Sequence, residues 1–168
     1  MAVVTLVGSR IMDLLDNTPR ALGAPGTGGG RVQVWCETVE ATASNSESST
    51  YLLAELPSNA RILGSSKIYW DDLTTDATST LDVGVFNQSG KSDITDDPDA
   101  LNNGLAVTTA GSASLISDIA NYGLQLWDFA TGTADPVATL QVKATLADAA
   151  LSAAGGGTIT VEIHYTLA

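Results

Sequence analysis

Acidic side chains are the densest candidates for chemistry in this chain. Asp71 and Asp72 are adjacent, and a second group of aspartates falls in one polar stretch. Its members are Asp93, Asp96, Asp97 and Asp99. Carboxylate oxygens are ligands that Ca²⁺ prefers, but no glutamate follows at the spacing of a helix–loop–helix calcium site. Asp and Asn also stabilise ordinary turns. We therefore predict no metal site, and these four aspartates remain the candidate Ca²⁺ ligands.

Paired carboxylates also serve glycoside hydrolysis. A polysaccharide hydrolase needs aromatic surface on which sugars stack, and aromatic residues make up only 5% of this chain. The three tryptophans all fall in predicted strands, which favours a role as core anchors over a sugar platform. They are Trp35, Trp70 and Trp127.

The chain has one histidine and one cysteine, so a nucleophilic site would depend on both. His164 falls on the polar side of an alternating segment, which indicates a surface residue rather than a base. Cys36 would need a nearby base and electropositive surroundings to react, and a lone strand cysteine is usually a small hydrophobe. A glycine cluster at 26–30 precedes a β segment rather than a helix, so it predicts a linker and not a phosphate loop. We predict no catalytic residue and no cofactor.

Composition excludes several classes of partner. The 168 residues include 19 Asp plus Glu and 7 Lys plus Arg, for a net charge of −12. Such a chain is a poor ligand for nucleic acid and is repelled by anionic membranes. One cysteine excludes an internal disulfide framework. The first 17 residues lack a basic leader and a long apolar core, so we expect synthesis in a reducing cytoplasm without a signal peptide.

Short β segments separated by turn residues run from Arg31 onward. The clearest alternate with period two, at 136–149 and 158–168. Other predicted strands are 32–42, 50–56, 60–73 with a bend at Gly64, 78–87 and 121–132. Residues 88–104 are predicted as a polar loop, and 105–120 fit either a strand or a helical turn. The pattern predicts an all-β fold, a jelly-roll-like β-sandwich of about eight strands over residues 31–168.

Residues 1–30 differ from the rest and predict an N-terminal arm followed by a Gly/Pro-rich linker. Ala2–Val7 is apolar and β-prone, and four apolar residues after Ser9 share one side at helical spacing. Apolar residues in a detached arm need a partner surface. The arginines are placed to pair with acidic groups on that partner. The candidate partner-binding residues are Arg10, Ile11, Met12, Leu14, Leu15, Arg20 and Arg31.

Residues 50–86 resemble a recurrent segment in structural proteins of tailed bacteriophages and prophages. The resemblance is carried by three pieces, which are LPSNARIL at 56–63, DDL at 71–73 and LDVGVF at 81–86. The closing GGTITVEIHYTLA resembles the final strand of those proteins, so the similarity covers roughly residues 50–168.

The resemblance implies a virion protein of the capsid decoration, or cement, type. Such proteins are often β-rich trimers that bridge neighbouring major capsid subunits on the outer surface of the head. We accordingly expect a non-enzymatic homotrimer that binds the major capsid protein and stabilises the head. The alternative is a fibre, tail or receptor-binding module that recognises host carbohydrate. A glycan hydrolase, a tail-tube protein and a head-completion protein are further alternatives.

Overall fold

The computed structural model describes residues 31–88, 94–130, 134–153 and 155–167. The predicted arm and linker at 1–30 lie outside this range. The described chain contains nine β-strands and two 3₁₀ turns, Ile119–Asn121 and Leu126–Phe129. The strands are β1 Gln33–Ala41, β2 Thr50–Pro57, β3 Ala60–Ile62, β4 Lys67–Trp70, β5 Thr80–Asn87, β6 Asp97–Ala106, β7 Gly111–Ser114, β8 Thr139–Ala147 and β9 Gly157–Leu167.

The strands form two antiparallel sheets. One has the order β1-β9-β4-β7, with short β3 pairing β9 beyond the end of β4, and the other has the order β2-β8-β5-β6. Without β3, the eight remaining strands divide between the sheets in the arrangement of a jelly roll. The predicted all-β, jelly-roll-like sandwich is confirmed.

Alternating side chains explain why the best-predicted strands form. In β8 the buried residues are Leu140, Val142, Ala144 and Leu146. In β9 they are Ile159, Val161, Ile163 and Tyr165, so the two inner faces meet in one core. Burying a Leu or Val side chain completely stabilises a fold by about 1.5–3 kcal/mol. Such a gain at every second residue fixes which face of each strand turns inward.

Three predicted elements differ from the structure. Residues 60–73 form two strands rather than one bent strand, because a tight turn at Leu63–Ser66 divides β3 from β4. The predicted loop 88–104 is wrong in its second half, where β6 begins at Asp97. Leu101 and Asn102 are buried there, and Pro98 is tolerated because β6 is an edge strand.

The predicted strand at 121–132 is also wrong. The segment contains a 3₁₀ turn held by a reciprocal capping box, in which the Asp128 side chain accepts from the Gln125 backbone N–H at 3.0 Å and Gln125 accepts from the Asp128 backbone. Leu126 and Phe129 anchor the turn to the core. The ambiguous stretch 105–120 contains the end of β6, the short β7 and the start of the first 3₁₀ turn.

The sandwich has two ends. At one end β1 begins and β9 finishes, and we call it the arm end because residue 31 lies there. The turn 57–60 and the segment 115–138 also lie toward the arm end. The opposite, far end carries the loops 42–49, 71–79, 107–110 and 148–156.

Candidate interaction surface

His164 lies on the outer face of β9, as predicted, within a polar line. Its Nδ1 is 2.7 Å from Ser65 Oγ, and its Nε2 is 2.9 Å from Glu162 Oε1. A hydrolase built on such a line would also need oxyanion donors and a substrate cleft. Neither of the two grooves described below is lined by these three residues. The arrangement fits a surface network that ties β9 to the turn before β4.

The aspartates at 93–99 do not act as one group. Asp93 lies outside the described residues, and Asp96 Oδ1 accepts from the Asn87 backbone N–H at 2.6 Å. Asp99 Oδ2 accepts from Asn103 Nδ2 at 2.6 Å within β6. No three His, Cys, Asp or Glu side chains in the described ranges are close enough together to hold a metal ion. That this stretch holds no metal site stays a prediction.

Asp97 and Asp99 interact directly. Burial raises the pKa of Asp97, and its hydrogen bond to Asp99 raises that pKa further. The same hydrogen bond, together with the one from Asn103, lowers the pKa of Asp99. One carboxyl of the pair therefore holds its proton more tightly than the other. Near them, Asn87, Gln88, Ile94, Thr95, Asp96 and Lys143 line a polar groove of about 610 Å³.

Cys36 and the tryptophans are placed differently from one another. Cys36 is a free thiol exposed on the outer side of β1, whereas a small hydrophobe in a strand is more often buried. Each indole is half-buried against the core and donates one or more hydrogen bonds. Trp35 donates to Leu53 O at 3.0 Å, Trp70 donates to Ala106 O and Thr109 O at 3.1 Å each, and Trp127 donates to Gln125 Oε1 at 2.7 Å.

The arm end exposes large apolar side chains. Val137 is 88% exposed, Val32 is 51% exposed, and Leu167 is 42% exposed although its alternation predicts an inward position. Arg31, a predicted arm residue, is exposed beside Val32. The other six predicted arm residues lie outside the described range. Single exposed apolar residues are ordinary, but several at one end of the sandwich favour a contact surface.

Val137 is also conformationally strained. Its φ is 49°, a left-handed conformation that a β-branched side chain rarely adopts. The Asp135 carboxylate holds it there by accepting from the Val137 N–H at 2.8 Å. Strain at an exposed apolar residue is a recurrent mark of a functional position. Sequence reasoning missed Val137, because only the preceding proline distinguishes this stretch from an ordinary loop.

The far end carries acidic side chains with no basic residue in its loops. The carboxylates are Glu47, Asp71, Asp72, Asp76 and Asp148. Hydrogen bonds from Thr158 lower the pKa of Asp71, and hydrogen bonds from Thr78 lower that of Asp76. These groups stay ionised to lower pH than ordinary aspartates. The far end is therefore a negatively charged surface.

A groove of about 400 Å³ opens along one side of the sandwich, between β1 and β2. Each of these strands is the edge of its sheet, and both edges lie on the same side. The apolar floor includes Trp35, Val39 and Leu53, and the exposed Glu37 and Glu55 form the rim. The Trp35 hydrogen bond to Leu53 O crosses the gap at a bulge in β2.

Two solved structures share this architecture. One chain of the capsid asymmetric unit of cyanophage Pam1 is 24% identical, and the match covers 91% of this chain and 97% of that chain with a TM-score of 0.56. One chain of the capsid of Ralstonia phage GP4 is 19% identical, with coverage of 88% and 90% and a TM-score of 0.57. At these identities the likeness establishes a shared fold over nearly the whole of each chain.

No protein-family model matches the sequence, and no curated protein matches it either. In the part of the chain that the structure describes, no helix has the length and apolar character needed to cross a membrane.

Proposed function

We propose that this protein is a non-enzymatic decoration protein of a phage capsid. It binds the outer surface of the major capsid lattice through residues 1–30 and the arm end of the sandwich, and thereby stabilises the head. The observation that carries the proposal is the nearly full-length match of its jelly roll to single chains from two phage capsids. Because the coverage is high in both directions, those chains are of similar length to this one.

The distribution of charge and apolar surface supports an outward-facing body. Residues 1–31 hold three arginines against two aspartates, for a net charge of +1. The net charge of the whole chain is −12, so residues 32–168 carry a net charge of −13. Exposed Val32, Val137 and Leu167 lie at the arm end, whereas carboxylates occur in the loops at both ends of the sandwich. A body this acidic suits a surface remote from packaged nucleic acid.

The binding mechanism combines a rigid body with an arm that orders on contact. Ordering a flexible segment costs free energy, so the apolar residues Ile11, Met12, Leu14 and Leu15 must bury substantial surface in the lattice. Arg10 and Arg20 would pair with lattice carboxylates. A homotrimer would present three arms to symmetry-related subunits and convert a modest contact into firm attachment.

Deletion of residues 1–30 tests the proposal directly. Purified shells that lack the protein are mixed with the full-length or the truncated form, and co-sedimentation measures the bound amount. We expect at least a hundredfold loss of apparent affinity for the truncated form, which is the scale of multivalent attachment. Circular dichroism of the truncated form serves as the control for folding. A folded truncated protein that binds as tightly as the full-length one would overturn the arm mechanism.

A solution mass measurement tests the homotrimer separately. Sedimentation equilibrium of the full chain at several concentrations should give three times the mass of the 17.2 kDa monomer. A strict monomer at every concentration would contradict the trimer, and attachment would then rest on single arms.

A further inference from the structure

We propose that, in the free protein, the N-terminal segment Ala2–Val7 docks on its own sandwich, adding a strand to the free edge of β1 and covering the groove between β1 and β2. This inference concerns the protein before it meets any partner and does not depend on the capsid role.

The groove is the first reason. Trp35 and Val39 are only half-buried on its floor, although both pack against the core. β1 is paired on one side by β9, and no other described strand pairs its outer side. An added strand would satisfy this outer row of backbone groups, and its alternate side chains would cover the exposed part of the floor.

The length of the chain outside the described residues is the second reason. Ala2–Val7 reads AVVTLV, six apolar or β-branched residues that span about 20 Å when extended, against about 30 Å for the nine residues of β1. Residues 8–32 connect this segment to β1, which begins at Gln33. A Gly-rich coil of that length has a root-mean-square span of roughly 26 Å, which is enough for docking in either direction along β1.

Charge is the third reason, and it discriminates against a second copy of the sandwich as the occupant. The groove rim carries Glu37 and Glu55, with Glu40 further along β1. The β1 edge of another copy would bring the same carboxylates to the contact, and like charges across a strand pair are destabilising. Arg10, three residues after Val7, instead complements the rim, and Asp13 and Asp16 lie further along the chain.

The covalent connection between Val7 and β1 favours the segment of the same chain over that of a neighbouring molecule. A short flexible linker holds a segment at an effective concentration in the millimolar range. The corresponding segment of a neighbouring free molecule is present only at the concentration of the protein. Ala2–Val7 therefore has an internal site in the free protein, which keeps the apolar residues of this segment covered.

Cys36 allows a direct test in the full chain. It is the only cysteine, it is exposed on the outer face of β1, and side chains of an added strand on that face would lie about 5 Å away. Val3, Val4, Thr5 and Leu6 are changed to cysteine one at a time, and the rate of disulfide formation with Cys36 is measured by non-reducing electrophoresis and mass spectrometry. Thr27→Cys is the control, because it lies much nearer to Cys36 in sequence but in the linker.

We expect one of the four positions to form an intramolecular disulfide about tenfold faster than its immediate neighbours and than Thr27→Cys, since adjacent residues of a strand point to opposite faces. Glu37→Lys should slow the fast position severalfold, whereas the same charge change at Glu47 in the far end should not. Rates that simply follow sequence distance, with Thr27→Cys fastest, would overturn the proposal. Disulfides formed only between molecules would overturn it as well.

Discussion

The two ends of the sandwich are both made of loops that bond to one another, but the two ends expose different side chains. At the far end the loops bond to one another, as in Leu151 N–H to Asn45 O at 2.9 Å and Gly156 N–H to Leu73 O at 2.8 Å. At the arm end the loops also bond to one another, as in Ser58 N–H to Ala138 O at 2.8 Å, but Val137 and Leu167 face outward there. The loops at both ends satisfy one another's backbone groups, and the difference is that the arm end also exposes large apolar side chains.

The largest expected effect comes from crowding at the far end. Gly156 has a φ of +118°, and a Cβ there would lie 2.9 Å from Ala41 O and 3.0 Å from Ala43 N. Gly156→Ala should lower the free energy of unfolding by about 2–3 kcal/mol, measured by chemical denaturation.

The matched variant is Gly123→Ala in the segment between β7 and β8. Gly123 also has a positive φ, +83°, but a Cβ there would meet nothing within 4 Å. Only the backbone strain remains, so the loss should be about 1 kcal/mol. Equal losses at the two positions would show that close packing of the far-end loops contributes little.

The second prediction separates stability from attachment at the arm end. Val137→Asn should raise the free energy of unfolding by about 0.5–1 kcal/mol, because asparagine tolerates the left-handed conformation better than valine. The same change removes an exposed apolar contact, so attachment to shells should weaken, which co-sedimentation would measure.

Ser44→Gly supplies the far-end control, since Ser44 also has a positive φ, 62°. Glycine relieves that strain, so it should stabilise the fold similarly but leave attachment unchanged. If Val137→Asn binds shells as tightly as the unmodified protein, the arm end is not the contact surface.

The smallest prediction concerns pH. Burial raises the pKa of Asp82, and Asp99 and Asp148 raise it further against the lowering effect of the Gly104 N–H. The ionised form of Asp82 is thus disfavoured in the folded state. Its ionisation therefore lowers the free energy of unfolding above the raised pKa, and this loss disappears as the pH falls below the ordinary value near 3.8. Asp82→Asn should stabilise by a few tenths of a kcal/mol at pH 7 and have no effect at pH 3.

Asp76→Asn is the control with the opposite sign. Its pKa is lowered by hydrogen bonds from Thr78. The carboxylate therefore stabilises the fold above the ordinary pKa, and this contribution is lost as the pH falls through the lowered value. The variant should be less stable at pH 7 and unchanged at low pH. Urea denaturation at both pH values measures the two variants, and effects of the same sign would contradict these assignments.

Regular alternation decided how much of the fold was predictable from sequence. β8 and β9 were predictable because every second residue is apolar. β6 was not, because its residues DPDALNNG read as a turn, and its strand conformation depends on pairing with the distant β5. Gly84 makes that pairing possible: a Cβ there would lie 2.0 Å from Asp97 O. The need for glycine at position 84 depends on the close approach of β6, so it cannot be predicted from the sequence of either strand alone.

The interaction surface was less predictable than the fold. β1 carries apolar side chains on both faces, with Val34 and Cys36 outward and Trp35 and Val39 inward, so alternation alone cannot orient it. Val137 adopts a left-handed backbone conformation, and no residue type near it in the sequence requires that conformation, so its position could not be predicted. The Gln125–Asp128 capping box was the one local signal that could have identified the 3₁₀ turn.

The three indoles give the molecule a built-in set of optical probes. Trp35 borders the groove, Trp70 bonds the loop 107–110 at the far end, and Trp127 lies near the turn 57–60 at the arm end, where its backbone N–H donates to Ser58 O. All three are half-buried, so the fluorescence of each responds to whether water or another chain covers it. Variants that retain one tryptophan at a time would report from three separate places on the same body during attachment.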